Sequence, residues 1–239
     1  PAPMTISSIS IIVPTLNEAS HITEVLGRLQ AFRERGHEVI VVDGGSSDTT
    51  VLSAASYADH VMSAPRGRAE QLTAGTHRAR HPVLWFVHAD TLVPDNADHL
   101  ILEALDRASW GRFNVQLSGR NHFYFLRIVE GLMNKRSQIT GIATGDQGIF
   151  VARSALEAVG GIPNLSLMED VALSRLLKAV GRPACIKTPL ITSSRRWEQD
   201  GIFRTIVLMW LLRSAYGIGI SPKILKKFYA TGRVIDFQV

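Results

Sequence analysis

The chain has 239 residues, enough for one large α/β domain or two small ones, and 46% of them are apolar, which excludes a mainly disordered polymer. Its 26 Lys and Arg against 21 Asp and Glu give +5 and a pI near 9.7, suited to an anionic ligand or an acidic membrane surface. No basic stripe interleaved with aromatics is present, so nucleic acid is not expected as a partner. A single cysteine, Cys185, permits no internal disulfide and fits a reducing cytosol. No charged-then-apolar leader precedes Met4, and no run reaches the roughly 20 apolar residues of a spanning helix, so a cytoplasmic chain is expected.

Ile9 to Val13 is a β-branched run closed by Pro14, a first buried strand. Ile22, Val25, Leu26, Leu29 and Phe32 then keep helical spacing until Gly36. Val39 to Val42 is a second strand, ending in Asp43-Gly44-Gly45-Ser46-Ser47-Asp48. Asp48 is placed to cap a helix over Thr49 to Tyr57. A brief strand near Val61 leads to a helix after Gly67, and then to Val83-Leu84-Trp85-Phe86-Val87, five apolar residues that read as a strand buried on both faces. This alternation predicts a doubly wound, mostly parallel sheet flanked by helices.

Helices are expected over Ala97 to Ala108 and Phe123 to Arg136. Between them, Trp110 to Leu117 alternates: Phe113, Val115 and Leu117 against Arg112, Asn114 and Gln116, the pattern of a half-buried strand. A strand at Gly148 to Val151, a helix at Ser154 to Val159 ended by Gly160-Gly161, and a helix from Met168-Glu169-Asp170 to Val180 follow. Ser221-Pro222 starts a last helix to Ala230.

Parallel strands end on one edge, where ligands collect. Three such ends carry acidic or turn-forming groups: Pro14-Thr15-Leu16-Asn17-Glu18, Asp43-Gly44-Gly45 and His88-Ala89-Asp90. His88 and Asp90 are two residues apart on one side of an extended chain, fit to hold a divalent cation and a diphosphate, or merely to cap a turn. Arg66-Gly67-Arg68 with Gln71 offers an anion two guanidiniums and helix-start amides, or is a solvated face. Glu169-Asp170 is alternatively a helix cap, Gly145-Asp146-Gln147 a turn, and Arg195-Arg196-Trp197 a surface turn. No GxGxxG follows the first strand and no GxxxxGK[ST] occurs, which counts against dinucleotide-binding and P-loop proteins.

Together and in this order, these fragments resemble the family-2 glycosyltransferases of the GT-A fold. The pieces are Ile11 to Glu18, Val41 to Asp48, His88-Ala89-Asp90, Thr144 to Gln147 and Glu169-Asp170, spread from Ile9 to about Trp197. The resemblance implies a nucleotide-sugar donor, most simply UDP-linked, and an inverting single displacement onto an acceptor hydroxyl. It assigns Pro14 to Glu18, Asp43 and Gly45 to the nucleoside, and His88, Ala89 and Asp90 to a divalent cation (Mn or Mg) and the diphosphate. Arg66, Gly67, Arg68 and Gln71 join the donor side, and Arg195, Arg196 and Trp197 close over it. Asp170 becomes the general base with Glu169 orienting, and Gly145, Asp146 and Gln147 line the acceptor side. Arg66-Gly67-Arg68, Trp110 to Phe113 and Arg195 to Trp197 further resemble a compact bacterial subgroup found beside radical-SAM genes, including selenodomain-associated members and some named for arsenosugar biosynthesis.

Three positions depart from the family pattern. Its usual Asp-Asp is Asp43-Gly44 here, the first carboxylate of its metal motif is His88, and Ser193 stands where processive synthases begin Gln-x-x-Arg-Trp. A nucleotidyltransferase and a non-catalytic nucleotide-sugar-binding protein are the alternatives. Residues 1–200 are expected to form the glycosyltransferase domain, with a nucleotide-binding half at 5–92 and an acceptor half, for a small-molecule or lipid acceptor, at 93–200. Residues 201–239 form a helical extension, whose stretch Ile202 to Ile220 is apolar apart from Arg204 and Arg213. It is expected to cover its own domain, to meet a second copy, or to rest on the inner membrane face with Arg204 and Arg213 reaching lipid phosphates and Lys223, Lys226, Lys227 and Arg233 adding charge.

Overall fold

The computed structural model describes residues 8–119, 123–194 and 201–231. The elements are β1 (Ile9–Thr15), α1 (Ile22–Glu34), β2 (Glu38–Asp43), α2 (Thr50–Ala54), β3 (His60–Ser63), α3 (Arg68–Arg78), β4 (Val83–Phe86), β5 (Thr91–Leu92), α4 (Ala97–Leu105), β6 (Trp110–Leu117), α5 (Phe123–Thr140), β7 (Phe150–Ala152), α6 (Arg153–Ala158), α7 (Glu169–Leu177), β8 (Ala184–Thr192), α8 (Ile202–Gly217) and α9 (Pro222–Thr231), with a 3-10 turn at Gly145–Gln147. The sheet order is β3-β2-β1-β4-β7-β6-β8-β5. Strands β1 to β4 are parallel, β6 and β8 run with them, and β7 and β5 run against them.

The continuous apolar runs arise because the sheet has a core on each face. Ile9, Ile11 and Val13 of β1, Val39 and Val41 of β2, and Val83 and Trp85 of β4 pack against α1, α2 and α4. Their neighbours Ile12, Ile40, Val42, Leu84 and Phe86 pack against α3, α6 and α7. Period-two alternation thus divides one hydrophobic run between two layers. A Cβ on Gly75 would stand 2.5 Å from Ile12 Cγ2, so glycine there lets α3 lie close against β1.

Several expected boundaries shift. Strand β1 continues one residue past Pro14; its pairing with β4 ends at Ile12, so the missing proline N–H breaks no ladder on that side. Helix α2 is shorter than Thr49 to Tyr57, with Thr49 as its cap residue, although Asp48 Oδ1 does accept the Thr50 amide at 3.0 Å. Strand β6 keeps the expected alternation from Phe113 to Leu117 but departs at Arg112, which is 1% exposed, its guanidinium donating to the Asn134 carbonyl of α5. Of β6, Trp110 and Gly111 alone pair with β7, so beyond them β6 has an open edge on that side. Side chains of α5 close it: the amide of Asn134 pairs with both Val115 N–H (2.9 Å) and Val115 C=O (3.0 Å), while Glu130 accepts the Leu117 N–H and Arg127 donates to the Leu117 carbonyl. Strands β5 and β8 have no counterpart in the sequence reading.

At the opposite edge from the strand ends discussed above, Asp98 of α4 is buried and accepts from Arg35 Nε (2.6 Å) and His37 Nε2 (3.0 Å). His37 Nδ1 accepts the Ile9 amide, so the imidazole is neutral with its proton on Nε2, and burial lowers its pKa. Burial opposes the Asp98 anion, but donors Arg35 and His37 outweigh it and hold the carboxyl below its ordinary value of 3.8. Its contribution to stability is therefore complete above that value and lost as pH falls through the lower folded value. Asp98→Ala leaves a buried imidazole unpartnered and should cost about 3 kcal/mol in denaturant unfolding at pH 7.

Candidate active site

Thr15 and Asp43 end parallel strands on one edge, and β4 points His88 to the same place. Because β7 is antiparallel to β4, its start lies at that edge too, and Gly145–Gln147, just before it, meets His88. Topology alone thus gathers motifs that are far apart in the chain.

The first two strand ends form one interlocked loop pair. Asn17, left-handed at φ 55°, accepts the Ser47 amide on its side chain (2.9 Å) and donates its own amide to Ser46 Oγ (2.8 Å). The Glu18 amide donates to Thr50 Oγ1, and the Ala19 amide to Asp48. Asp43 is buried and accepts the amides of Gly45 and Ser46, both at 2.9 Å, plus the Ser46 hydroxyl. Thr15 is buried beside it, Pro14, Leu16 and Glu18 are half-buried, and Gly45 is exposed. Gln71 is not at the surface: its amide nitrogen donates to the carbonyls of Thr15 (2.7 Å) and Val42 (2.8 Å), tying β1 to β2. A Cβ on Gly44 would sit 3.1 Å from that carboxamide, so Gln71 occupies the space beside this position.

A second group gathers around Arg68. Its guanidinium lies 3.6 Å from Glu169, and its side chain is 48% exposed. Desolvation disfavours the cation, but Glu169, Asp146, Asp170 and Asp90 together raise its pKa above that of a free guanidinium. His88 Nδ1 is 3.2 Å from Asp146, while its Nε2 faces Gly145, where a Cβ would come within 2.5 Å; only glycine permits this approach. The Gly145 amide donates to Asp170 Oδ2 (2.8 Å), and the Val171 amide to Oδ1 (2.7 Å). Glu169 is 6% exposed; burial first, then the Asp170 charge, raises its pKa despite Arg68.

The turn carrying this acidic pair is strained. Met168 has φ 66° and ψ 23°, a left-handed conformation costing on the order of 1 kcal/mol or more for such a residue. It is held by packing with Val171, Leu212 of α8 and Leu225 of α9. Gln147 is fully buried and closes a capping box with Thr144. Ala89 lies in the core. Arg66 and Gly67 face another cleft, of ≈ 410 Å³, with Asn164, Lys223 and Lys226 among its walls. Arg195, Arg196 and Trp197 lie outside the described residues. Among the described residues, no group of three or more His, Cys, Asp and Glu side chains could hold a metal ion. His88 Nδ1 is engaged by Asp146, the arrangement in which a carboxylate orients an imidazole whose other nitrogen is the ligand.

Two further arginines lie near Asp170: Arg136 of α5, which the sequence reading passed over, and Arg213 of α8, which it assigned to lipid phosphates. Both feel the Asp170 charge. Arg213 is one of two cations in an apolar helical stretch, whereas Arg136 sits in the polar run Asn134-Lys135-Arg136-Ser137-Gln138.

A curled, mostly parallel sheet with an acidic edge is the fold of GT-A glycosyltransferases. The Staphylococcus aureus protein TarS, seen in complex with UDP-GlcNAc, superposes with a TM-score of 0.64 and 20% identity over 78% of this chain and 58% of that one. A mannosyltransferase from Pyrobaculum calidifontis, in complex with GDP-Man and Mn2+, gives 0.64 and 22% over 94% of this chain and 68% of that one. Residues 10–155 match glycosyl transferase family 2, and the chain belongs to that family. Poly-beta-1,6-N-acetyl-D-glucosamine synthase of Staphylococcus aureus (strain COL) is 23% identical over 98% of this chain, which covers 60% of that protein. The chain thus spans about three-fifths of the length of this curated relative, and 45% of its Staphylococcus epidermidis counterpart. Family membership counts against the nucleotidyltransferase alternative.

Proposed function

We propose that this glycosyltransferase inverts the anomeric centre in a single displacement, moving a hexose from a UDP-linked donor to an acceptor hydroxyl. The observation that carries the reading is Asp170: two backbone amides fix its carboxylate at the sheet edge, and lone pairs remain on both oxygens to take a proton. The loop pair of Pro14 to Glu18 and Asp43 to Ser46 is rigid enough to hold a nucleoside. Residues 5–92 then serve the donor and 93–200 the acceptor.

In the reaction, Asp170 accepts the proton of the acceptor hydroxyl as its oxygen bonds to the anomeric carbon. The bond from that carbon to the diphosphate oxygen breaks, and Arg68 offsets the charge appearing on the departing UDP. Glu169 orients Arg68 through their ion pair, and Gly145 holds Asp170 in place. Asp90, joined by His88, would hold a divalent cation, with imidazole favouring Mn, and that ion would add to the charge compensation at the diphosphate. The Arg66-Gly67-Arg68 sequence also supports placement in the compact bacterial subgroup.

Helix α8 has one face inward and another outward. Leu212 is buried and Leu208 half-buried, whereas Val207, Trp210 and Leu211 are exposed, as are Ile224 and Phe228 of α9 beside Lys223, Lys226 and Lys227. No helix of the described residues is long and apolar enough to cross a membrane. Arg213 is turned away from any lipid surface, its Nε being buried. We read the outward apolar face, with its lysines, as a contact with the anionic inner face of the cytoplasmic membrane.

Asp170→Asn keeps shape and removes basicity. Turnover should fall about 100-fold or more while UDP affinity stays unchanged, as steady-state kinetics and calorimetry would show. Near-normal transfer would move the base elsewhere, to Glu169 first. Asp90→Ala should remove the gain in UDP affinity that Mn confers, read by titration calorimetry with and without Mn; an unchanged gain would return this strand end to a turn. In flotation at low salt, the full chain should rise with anionic vesicles and a variant with Lys223, Lys226 and Lys227 changed to Glu should not. A chain that stays at the bottom and sediments as a dimer assigns the face to a second copy.

A further inference from the structure

Two guanidiniums beside Asp170 have no part in the reaction described above. On α8, Met209, Leu212, Arg213 and Tyr216 share one stripe, and Leu212 packs on Met168 and Val171 at the start of α7, so Arg213 faces that turn. On α5, Arg136 precedes Ser137, whose side chain is fully buried. Arg136 Nε and Nη2, Arg213 Nε and Ser137 Oγ are all buried, and among the described residues none of these atoms has a hydrogen-bond partner. Buried donors are almost always paired, and buried cations more so, so such a group marks a place where something binds.

The charges say what binds. Desolvation, the Arg213 charge and the Arg112 charge lower the Arg136 pKa to about 10, with Asp170 opposing, so it remains a cation at neutral pH. Desolvation likewise lowers that of Arg213, against Asp170 and Asp146. Two cations that repel each other and keep N–H groups unused are arranged for an anion, which guanidinium forks grip better than ammonium groups do. Asp90, on the proposed diphosphate side, couples to Arg68 instead.

We propose that Arg136 and Arg213 form an anion subsite for the acceptor, so the sugar is delivered to a hydroxyl compound bearing a phosphate or carboxylate group close to that hydroxyl. The inference rests on Asp170 as the base. An anionic acceptor beside Asp170 and Asp146 would be repelled without compensation, and the two arginines supply it from outside the proton path. Arg213 lies beyond residues 10–155, so the family match leaves it unassigned.

Titration calorimetry on the full chain saturated with UDP tests this, using glycerol 3-phosphate and lactate as the phosphate and carboxylate probes and glycerol as the neutral control. At least one anion should bind saturably and glycerol should not. Arg136→Gln and Arg213→Gln should each weaken the anion at least about 10-fold, with UDP affinity unchanged, as expected for losing a charged hydrogen-bond partner. If a Gln variant is unfolded by circular dichroism, Arg136→Lys and Arg213→Lys keep the charge, lose the fork, and should bind with intermediate affinity. Absence of saturable anion binding to the unaltered chain, or unchanged affinity in the arginine variants, overturns the proposal and leaves ordered water as the partner of these N–H groups. Asp170→Asn separates the two readings: full turnover in that variant sinks the base assignment, while anion binding lost with the arginines still stands.

Discussion

Like charges at one sheet edge are the constraint around which this molecule is arranged. Asp90, Asp146, Glu169 and Asp170 all act on one guanidinium, that of Arg68. Such a concentration is unfavourable in an apolar surround and persists only where fixed dipoles and cations meet it. Here Gly145 and Val171 amides, Arg68 and His88 do so. The site is electrostatically complete enough to fold, yet Arg68 is half exposed.

The sheet delivers these groups through direction as much as through order. Parallel strands bring Thr15, Asp43 and His88 to one rim, and the reversal of β7 returns Gly145 to it. The two halves of the rim differ in character. The loops at 15–19 and 43–50 are bound to each other by side-chain to backbone hydrogen bonds and scarcely need a ligand for definition. The side facing α5 and α8 retains buried polar atoms that have no partner among the described residues. One side is preorganised, and the other is completed by what it binds.

Much of this was legible in the sequence. Apolar runs at β1, β2 and β4 gave the double-sided sheet because each residue must enter one of two cores. Acidic and glycine motifs at strand ends located the rim, since parallel strands share it. Gln71 was misplaced because the sequence shows its polarity but not that the Thr15 and Val42 carbonyls consume both its protons. Arg112 read as solvated because its partner, the Asn134 carbonyl, arrives from a helix later in the chain. Strand β8 was invisible: its burial is irregular, it contains Pro189, and it bulges between Phe113 and Asn114 of its neighbour. Arg136, in the polar run Asn134 to Gln138, looked solvated, and Arg213 was read toward lipid because the sequence does not show which way its side chain turns.

The open edge of β6 has a mechanical corollary. Past Gly111 the edge of β6 that faces away from β8 pairs with side chains of α5 at Val115 and Leu117 rather than with a strand. Sliding α5 by one helical turn would strand those amides and carbonyls in the interior, at about 1–3 kcal/mol for each lost partner. The helix is therefore latched in register with the sheet and behaves as a stationary wall. Helices α8 and α9 meet the site through the apolar packing of Leu212 and Leu225 on the Met168 turn.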